Sequence, residues 1–220
     1  MAATGTDGAT RRSGKAGGAR SATTRRRLLD AASAAFAAKG FDATSVSSDV
    51  LEPSGVSVGS FYHQFPDKAA LFAAVVEESA RMAEGAMAAL HQGFEGGRVD
   101  VARASWTRLL DMADAHEPLF RIQVRERGNA DPAVAGPLGQ VEASWNAALH
   151  ETYRTAGAFP PGFPTDAAAQ LVLALGRGTI EAYLTWTPAE RRRRRGELVD
   201  QLAAFTLGGF DGLARGLPEG

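Results

Sequence analysis

The sequence predicts an all-α protein, with a small three-helix unit at the front and a larger helical body behind it. Three observations predict this. Alanine is abundant and isoleucine occurs only at Ile122 and Ile180, a balance that favours helix over strand. Apolar residues recur at i, i+3 and i+4, and no stretch shows the alternation of a half-buried strand. Gly and Pro breaks, with Ser, Thr or Asp beside them, separate these stretches as helix stops and starts do.

Each element follows in order. Met1 to Ala22 is rich in Gly, Ala, Ser, Thr and Arg and has no large apolar residue after Met1. It buries too little to offset its ordering entropy and reads as a disordered basic tail over 1–22. The first helix starts at Thr23 or Thr24, carries Leu28, Leu29, Ala32 and Phe36 on one face, and stops at Lys39-Gly40. Thr44 or Ser45 caps a short second helix from Val46 to about Glu52, which Pro53-Ser54-Gly55 breaks. A third short helix runs from about Val56 to Gln64. Pro66 blocks its extension and Asp67 caps a long fourth helix, through about His91, with Leu71, Phe72, Val75, Val76 and Met82 on one side. Later helices are expected near 100–116, 117–128, 131–156, 165–186 and 190–214, the third of these starting at Asp131-Pro132 or only at Pro137. The domains are thus a tail at 1–22, a front unit at 23–66 and a body at 67–220.

Composition removes several function classes. No apolar run reaches the ~18 residues that cross a bilayer, so no membrane partner is expected, and no apolar signal segment follows Met1. A cytoplasmic location is expected. There is no cysteine, and His63, His91, His116 and His150 lack ligand-like spacing. No phosphate loop or nucleophile motif stands out, so neither an enzyme nor a cofactor is expected. The net charge of −1 conceals an asymmetry: residues 1–66 sum to +3 and residues 67–220 to −4. A basic head on an acidic body suits an anionic partner at the front.

Three short helices with a tight turn between the second and third are the frame of a helix-turn-helix, whose last helix enters the major groove of double-stranded DNA. Phe61 and Phe65 are spaced to face inward, which leaves Ser57, Val58, Ser60, Tyr62, His63 and Gln64 outward. Ser and Gln hydrogen-bond base edges or phosphates, Val58 suits a thymine methyl and Gly59 admits close backbone approach.

The stretch Thr24 to Val76, reading TRRRLLDAASAAFAAKGFDATSV and then SGVSVGSFYHQFPDKAALFAAVV, resembles the DNA-binding domain of TetR-type (tetracycline-repressor-like) transcriptional regulators. The most specific parts are FAAKGFDATSV and GVSxGSFYxxFPDKxxLF in that order. By position, the resemblance implies that Thr44 caps the second helix and touches phosphate, and that Ser57, Val58, Gly59 and Ser60 open the recognition helix. It further implies that Tyr62 and His63 reach backbone or bases and that Lys68 meets a phosphate. Phe36, Gly40, Phe41 and Phe65 would hold the unit together. Four departures stand out: one residue more than usual between Val46 and Gly55, at Ser47-Ser48; Pro53 where Ala is common; Val58 where Lys or Arg is frequent; and Gln64 where an aromatic or His is more common.

In that family the body binds a small molecule and the last two helices pair with a second copy. Leu171, Val172, Leu175, Thr179, Ala182, Tyr183 and Trp186 are spaced for one helical face, and Leu198, Leu202, Phe205, Leu207, Phe210 and Leu213 for another. Expected lining residues for an effector are Met82, Trp106, Met112, Phe120, Trp145 and Tyr183, with Met87 and Tyr153 beside them. His116, Arg121, Gln123, Arg125, Glu142 and Asn146 are candidate polar anchors. Arg191–Arg195 reads as a solvated face. The expected function is a sequence-specific, homodimeric repressor released from operator DNA by a small ligand. The alternatives are a helical binding protein or enzyme with a vestigial front unit, and an architectural DNA-binding protein without sequence preference.

Overall fold

Every regular element among the described residues is helical. The computed structural model describes residues 8–89, 97–155 and 159–215, with side chains for all of these except 8–19 and 83–89. In order, α1 spans Gly8–Lys39 and α2 begins as a π-helical turn at Val46–Leu51 and runs into an α-helical turn at Glu52–Ser54. There follow α3 at Val58–Gln64, α4 at Lys68–Ala89, α5 at Arg98–Ala115, α6 at Glu117–Arg125, α7 at Pro132–Thr155, α8 at Thr165–Leu184 and α9 at Pro188–Arg215. The chain divides into two packed units, residues 1–75 and 76–220.

Two boundaries differ from the sequence expectation. Helix α1 starts at Gly8 and so runs through most of the segment expected to be a disordered tail. Once Leu28, Ala32 and Phe36 anchor the helix, extending it toward the N-terminus needs only propagation, which is far easier than nucleation, and Ala, Arg and Lys favour it. Residues 1–7 of that expected tail lie outside the described residues. The front unit also runs past the expected break at Pro66-Asp67. Leu71, Phe72 and Val75 of α4 are buried, and Phe72 meets Phe36 edge-on at 5.1 Å and Phe41 at 5.2 Å.

The front core is this phenyl group together with Leu28, Val50, Leu51, Phe61 and Phe65. Gly40 turns the chain out of α1 with φ of 84°, a left-handed conformation that a Cβ disfavours. Its amide donates to Phe36 O at 2.9 Å. Inside α2 the Glu52 amide donates to Ser47 O, five residues back. A π-turn holds one residue more than an α-turn, so the extra residue read at Ser47-Ser48 is absorbed locally. Pro53 sits in the first turn of the α-helical part, and Gly55 ends it at φ of 61°. At the start of α4, Asp67 Oδ1 accepts the Ala70 amide at 2.7 Å, the cap read from the sequence.

In the second unit α5 packs along α9 and α7 along α8. Trp106, Leu110, Phe120, Ile180, Tyr183 and Leu202 form the centre of its core. Pro137 lies inside α7 rather than at its start. In the helix's second turn its missing N–H removes a single bond, and Asp131 Oδ1 caps the helix below it by accepting the Ala133 amide at 2.9 Å.

Arg191–Arg195 is not a uniformly solvated face. Arg191 Nη1 donates to Asp114 Oδ1 at 2.9 Å and to Glu117 Oε2 at 2.8 Å. Arg195 donates to Asp111 Oδ1 at 2.5 Å, Asp114 Oδ2 at 2.9 Å and Thr107 O at 2.9 Å. Residues four apart share a helix face, so these two turn toward α5 while Arg192, Arg193 and Arg194 stay exposed.

Candidate nucleic-acid interface and ligand cavity

Helix α3 has one inward and one outward face. Phe61 and Phe65 are buried in the front core. Ser57 is the N-cap, and its Oγ accepts the Ser60 amide at 3.3 Å, satisfying one of the donors a helix start leaves open. Ser57, Val58, Gly59, Ser60, Tyr62 and His63 are all exposed, so the structure brings six of the eight expected DNA contacts onto one surface. Gln64 is turned aside, its Nε2 donating to Ser21 Oγ of α1 at 2.7 Å.

The other two differ from expectation. Thr44 is buried, and its hydroxyl donates back to Gly40 O at 2.6 Å. It closes the end of α1 rather than capping α2, and no surface is left to meet a phosphate. Ser45 occupies the N-cap position of α2 without a side-chain cap bond. Asp49 serves that end instead, with Oδ2 accepting the Ser45 amide at 2.9 Å and Oδ1 pairing with Lys39 Nζ at 2.7 Å. Lys39's hydrogen bond, and then Ser45's amide, hold the Asp49 carboxyl below its ordinary value. Lys68 is half-buried, and its ammonium donates to Phe41 O at 2.8 Å, Thr44 O at 3.3 Å and Asp42 O at 3.4 Å. It also lies 4.4 Å from the Phe41 ring. These bonds staple the turn after α1 to the start of α4, the task its three donors perform here in place of the expected phosphate contact.

Helix α3 carries neither Lys nor Arg. Lys68 apart, positive charge in this unit comes from α1, where Arg20, Arg25, Arg26 and Arg27 are exposed. Arg25 stacks over Phe65 at 4.7 Å and Arg26 pairs with Asp30 at 2.9 Å. Arg27 reaches over Gly55, where an added Cβ would lie 2.8 Å from its Nη2. The sequence signal for this arrangement is the run Arg25–Arg27 in the first turns of the expected helix.

The second unit encloses a cavity of about 1150 Å3 between α5, α6, α7, α8 and α9. Trp106, Met112, Phe120 and Trp145 line it as expected, as do Gln123, Glu142 and Asn146 among the polar candidates. Trp106 is fixed by its indole N–H, which donates to Thr206 Oγ1 at 3.1 Å. Met82 and Tyr183 do not line it. Met82 is exposed on α4. Tyr183 is buried toward α5 and α9, where its hydroxyl donates to Asp114 Oδ2 at 2.8 Å and Arg191 lies 4.9 Å from its ring. Burial, and then the bond to Asp114, push this phenol up to about 12. His116, Arg121 and Arg125 are also outside the lining, Arg121 being held by Glu117 at 2.6 Å and Leu184 O at 3.1 Å. The Met87 side chain and His91 lie outside the described residues.

Of one wall the sequence reading named only Tyr153 as lining. Tyr153, Phe159, Phe163 and Phe210 line the cavity together, with ring centroids 4.4–6.0 Å apart. The signal was the phenylalanine on each side of Pro160-Pro161-Gly162, read only as a break between helices. Among the described residues no group of His, Asp and Glu is arranged to hold a metal ion, and no helix is long and apolar enough to cross a membrane.

Comparison with known proteins agrees with the front unit. Residues 28–75 match the family model described as bacterial regulatory proteins, tetR family. Over the whole chain the fold is similar to that of Salmonella enterica GusR, at 26% identity and a TM-score of 0.66, covering 86% of this chain and 96% of that one. The fatty acid degradation regulator FadR from Bacillus halodurans is 17% identical with a TM-score of 0.66, covering 84% and 98%. A TetR-family transcriptional regulator from Agrobacterium tumefaciens is 18% identical with a TM-score of 0.64, covering 87% and 97%.

Proposed function

We propose that this chain, whose residues 28–75 match the tetR family model, is a DNA-binding transcription regulator of that family: a homodimeric repressor that leaves its operator when a small molecule fills the cavity of its second unit. The observation that carries the reading is the outward face of α3: six polar, small or aromatic residues on a helix pinned from behind by Phe61 and Phe65. Ser60 and His63 offer hydrogen bonds to base edges or phosphates, Val58 fits a thymine methyl, and Tyr62 donates to a phosphate. With no cation on α3, phosphate attraction rests on the arginines of α1, and a second copy doubles it.

The second copy has a surface to use. Ala167, Leu171, Ala174, Gly178 and Ala182 form an exposed row along α8, and Ala204, Phe205 and Gly208 one along α9. Leu171 is 60% exposed and Phe205 71%. Paired across a two-fold axis, these rows make a four-helix seam, and a two-fold dimer reads a palindrome whose half-sites lie one turn apart. Release follows from linkage: a ligand that favours one arrangement of the body lowers DNA affinity, and DNA lowers ligand affinity by the same factor. Helix α4, whose residues belong to both units, is the covalent link through which the coupling passes. Such a regulator works in the cytoplasm, beside the DNA.

The test is a gel shift with DNA flanking the protein's own gene, against specific and non-specific competitor. Sequence-specific retardation is expected, and Tyr62→Ala should weaken it by about tenfold, the worth of one good contact, while the dimer persists in size-exclusion chromatography. Retardation that any DNA competes away equally refutes the reading.

A further inference from the structure

Three features of the cavity bear on what it holds. The first is charge. Arg98 pairs with Asp211 at 2.8 Å, Arg127 with Glu181 at 2.5 Å, and Arg177 with Glu142. The carboxylate of Glu126 accepts Asn129 Nδ2 at 2.7 Å. Every arginine of the lining thus already has a carboxylate partner. An anionic ligand would have to take its arginine from one of these pairs, since no arginine of the lining is left over.

The second is the distribution of rings. Phe120 and Trp145 stand 5.6 Å apart on one side, and the group of Tyr153, Phe159, Phe163 and Phe210 forms another wall. Trp145 and Tyr153 are eight residues apart on α7, which sets them about 12 Å apart along the helix at 1.5 Å per residue. The four rings of the second wall pack on one another, with Phe159 and Phe163 stacked at 4.4 Å. They make a continuous apolar surface rather than a cage around a gap, so a cation gains no enclosing set of ring faces.

The third is the free hydrogen-bonding capacity. Gln123 and Asn146 are half-buried, and their amides make no hydrogen bond among the described residues. The Tyr153 hydroxyl likewise has no partner there, and burial raises its pKa, so it stays a neutral donor. These half-buried groups line the cavity and are open to a hydrogen bond from whatever fills it. Its volume is larger than the ~300–1000 Å3 typical of drug-sized ligands.

We propose that the cavity selects an uncharged, elongated molecule with ring systems at both ends, held by Phe120 and Trp145 at one end and by Tyr153, Phe159, Phe163 and Phe210 at the other. The proposal rests on the reading of this cavity as the effector site and names the effector's class. Gln123 and Asn146 meet a neutral hydrogen-bonding group near the first end, and Tyr153 one near the second.

The test uses two dyes with the same pair of aromatic units. N-phenyl-1-naphthylamine is neutral, and 8-anilino-1-naphthalenesulfonate adds one sulfonate. Each is titrated into the full-length protein at neutral pH, followed by dye emission and by energy transfer from tryptophan, since Trp106 and Trp145 line the cavity. The neutral dye should bind at least tenfold more tightly. Trp145→Phe should reduce the energy transfer while leaving the protein folded by circular dichroism, and Phe163→Ala should weaken neutral-dye binding at least fivefold. Tetrabutylammonium should fail to displace the neutral dye. Equal or tighter binding of the sulfonate overturns the proposal. So does displacement by the cation, binding without transfer from the cavity tryptophans, or no binding of either dye. Gel shifts in parallel separate the two readings. Dye preference as stated without any specific DNA binding upholds the ligand class and removes the repressor. Specific DNA binding with preference for the sulfonate does the reverse.

Discussion

Replacing Arg191 by Met tests how the second unit is held together. The guanidinium is 11% exposed as a side chain and bridges Asp114 and Glu117, which are 37% and 32% exposed. Breaking a fully buried pair by removing one partner costs about 3–5 kcal/mol. Here water re-solvates the two carboxylates over a third of their surface, which lowers the cost. Arg191 Nε is also buried without a hydrogen-bond partner, and losing that atom returns about 1 kcal/mol. Methionine keeps most of the stem packed against Tyr183. The net loss should be about 2 kcal/mol, which lowers the melting temperature by roughly 4–8 °C for a unit of this size. Denaturant unfolding of the wild type, Arg191→Met, Glu117→Gln and the double variant measures it, and the cycle should return a coupling of about 1 kcal/mol.

The same set predicts a pH dependence. Arg191's hydrogen bond, then that of Arg121, hold the Glu117 carboxyl below its ordinary 4.5. A carboxyl lowered on folding stabilises above its unfolded value, and the gain is lost as pH falls through the lowered folded value. The gap between wild type and Arg191→Met should therefore be full at neutral pH and shrink below 4.5 as Glu117 protonates. An Arg191→Met protein as stable as the wild type at neutral pH, or a gap that widens on acidification, refutes the reasoning.

Two further outcomes follow from contacts described above. Thr44→Val removes a buried hydroxyl and leaves Gly40 O without that donor, so it should cost about 1–2 kcal/mol of stability; DNA affinity measured well below the melt should be unchanged, whereas a drop would return Thr44 to the interface. Phe205→Glu puts a charge in the exposed row of α9 and should convert a dimer to monomers in sedimentation, with dissociation of at least tenfold.

The faces of α3 were legible because spacing decides them: Phe61 and Phe65 four apart fix one side, and Ser57, Val58, Ser60, Tyr62 and His63 are what remains. Thr44 and Lys68 were not legible because both have a choice of partner. A threonine beside a helix end can cap forward or donate backward, and a lysine at a helix start can meet a phosphate or the carbonyls of the turn before it. Only the path of the chain through Phe41–Thr44 decides. Arg191 and Arg195 were obscured by their neighbours, although Asp111, Asp114 and Glu117, three apart on adjoining helices, carry the complementary pattern. Met82 and Tyr183 were assigned to the cavity by residue type, and type does not fix direction. Beyond Tyr153 the ring wall was missed because Pro160-Pro161-Gly162 marks a break in helix and conceals that the phenylalanines beside it return to the same place.

The π-turn of α2 has a consequence for how this domain changes length. In an α-helix an added residue rotates everything beyond it by about 100°, which would carry Val56, Phe61 and Phe65 out of register with α1. Here the surplus is confined to Ser47–Glu52, and Leu51, Val56 and Phe61 remain buried. The segment upstream of α3 therefore works as a slack link: a residue can be gained or lost there while the outward face of α3 keeps its orientation. Chimeras that graft a foreign α3 onto this scaffold can tolerate unequal second helices, provided the mismatch falls before Leu51.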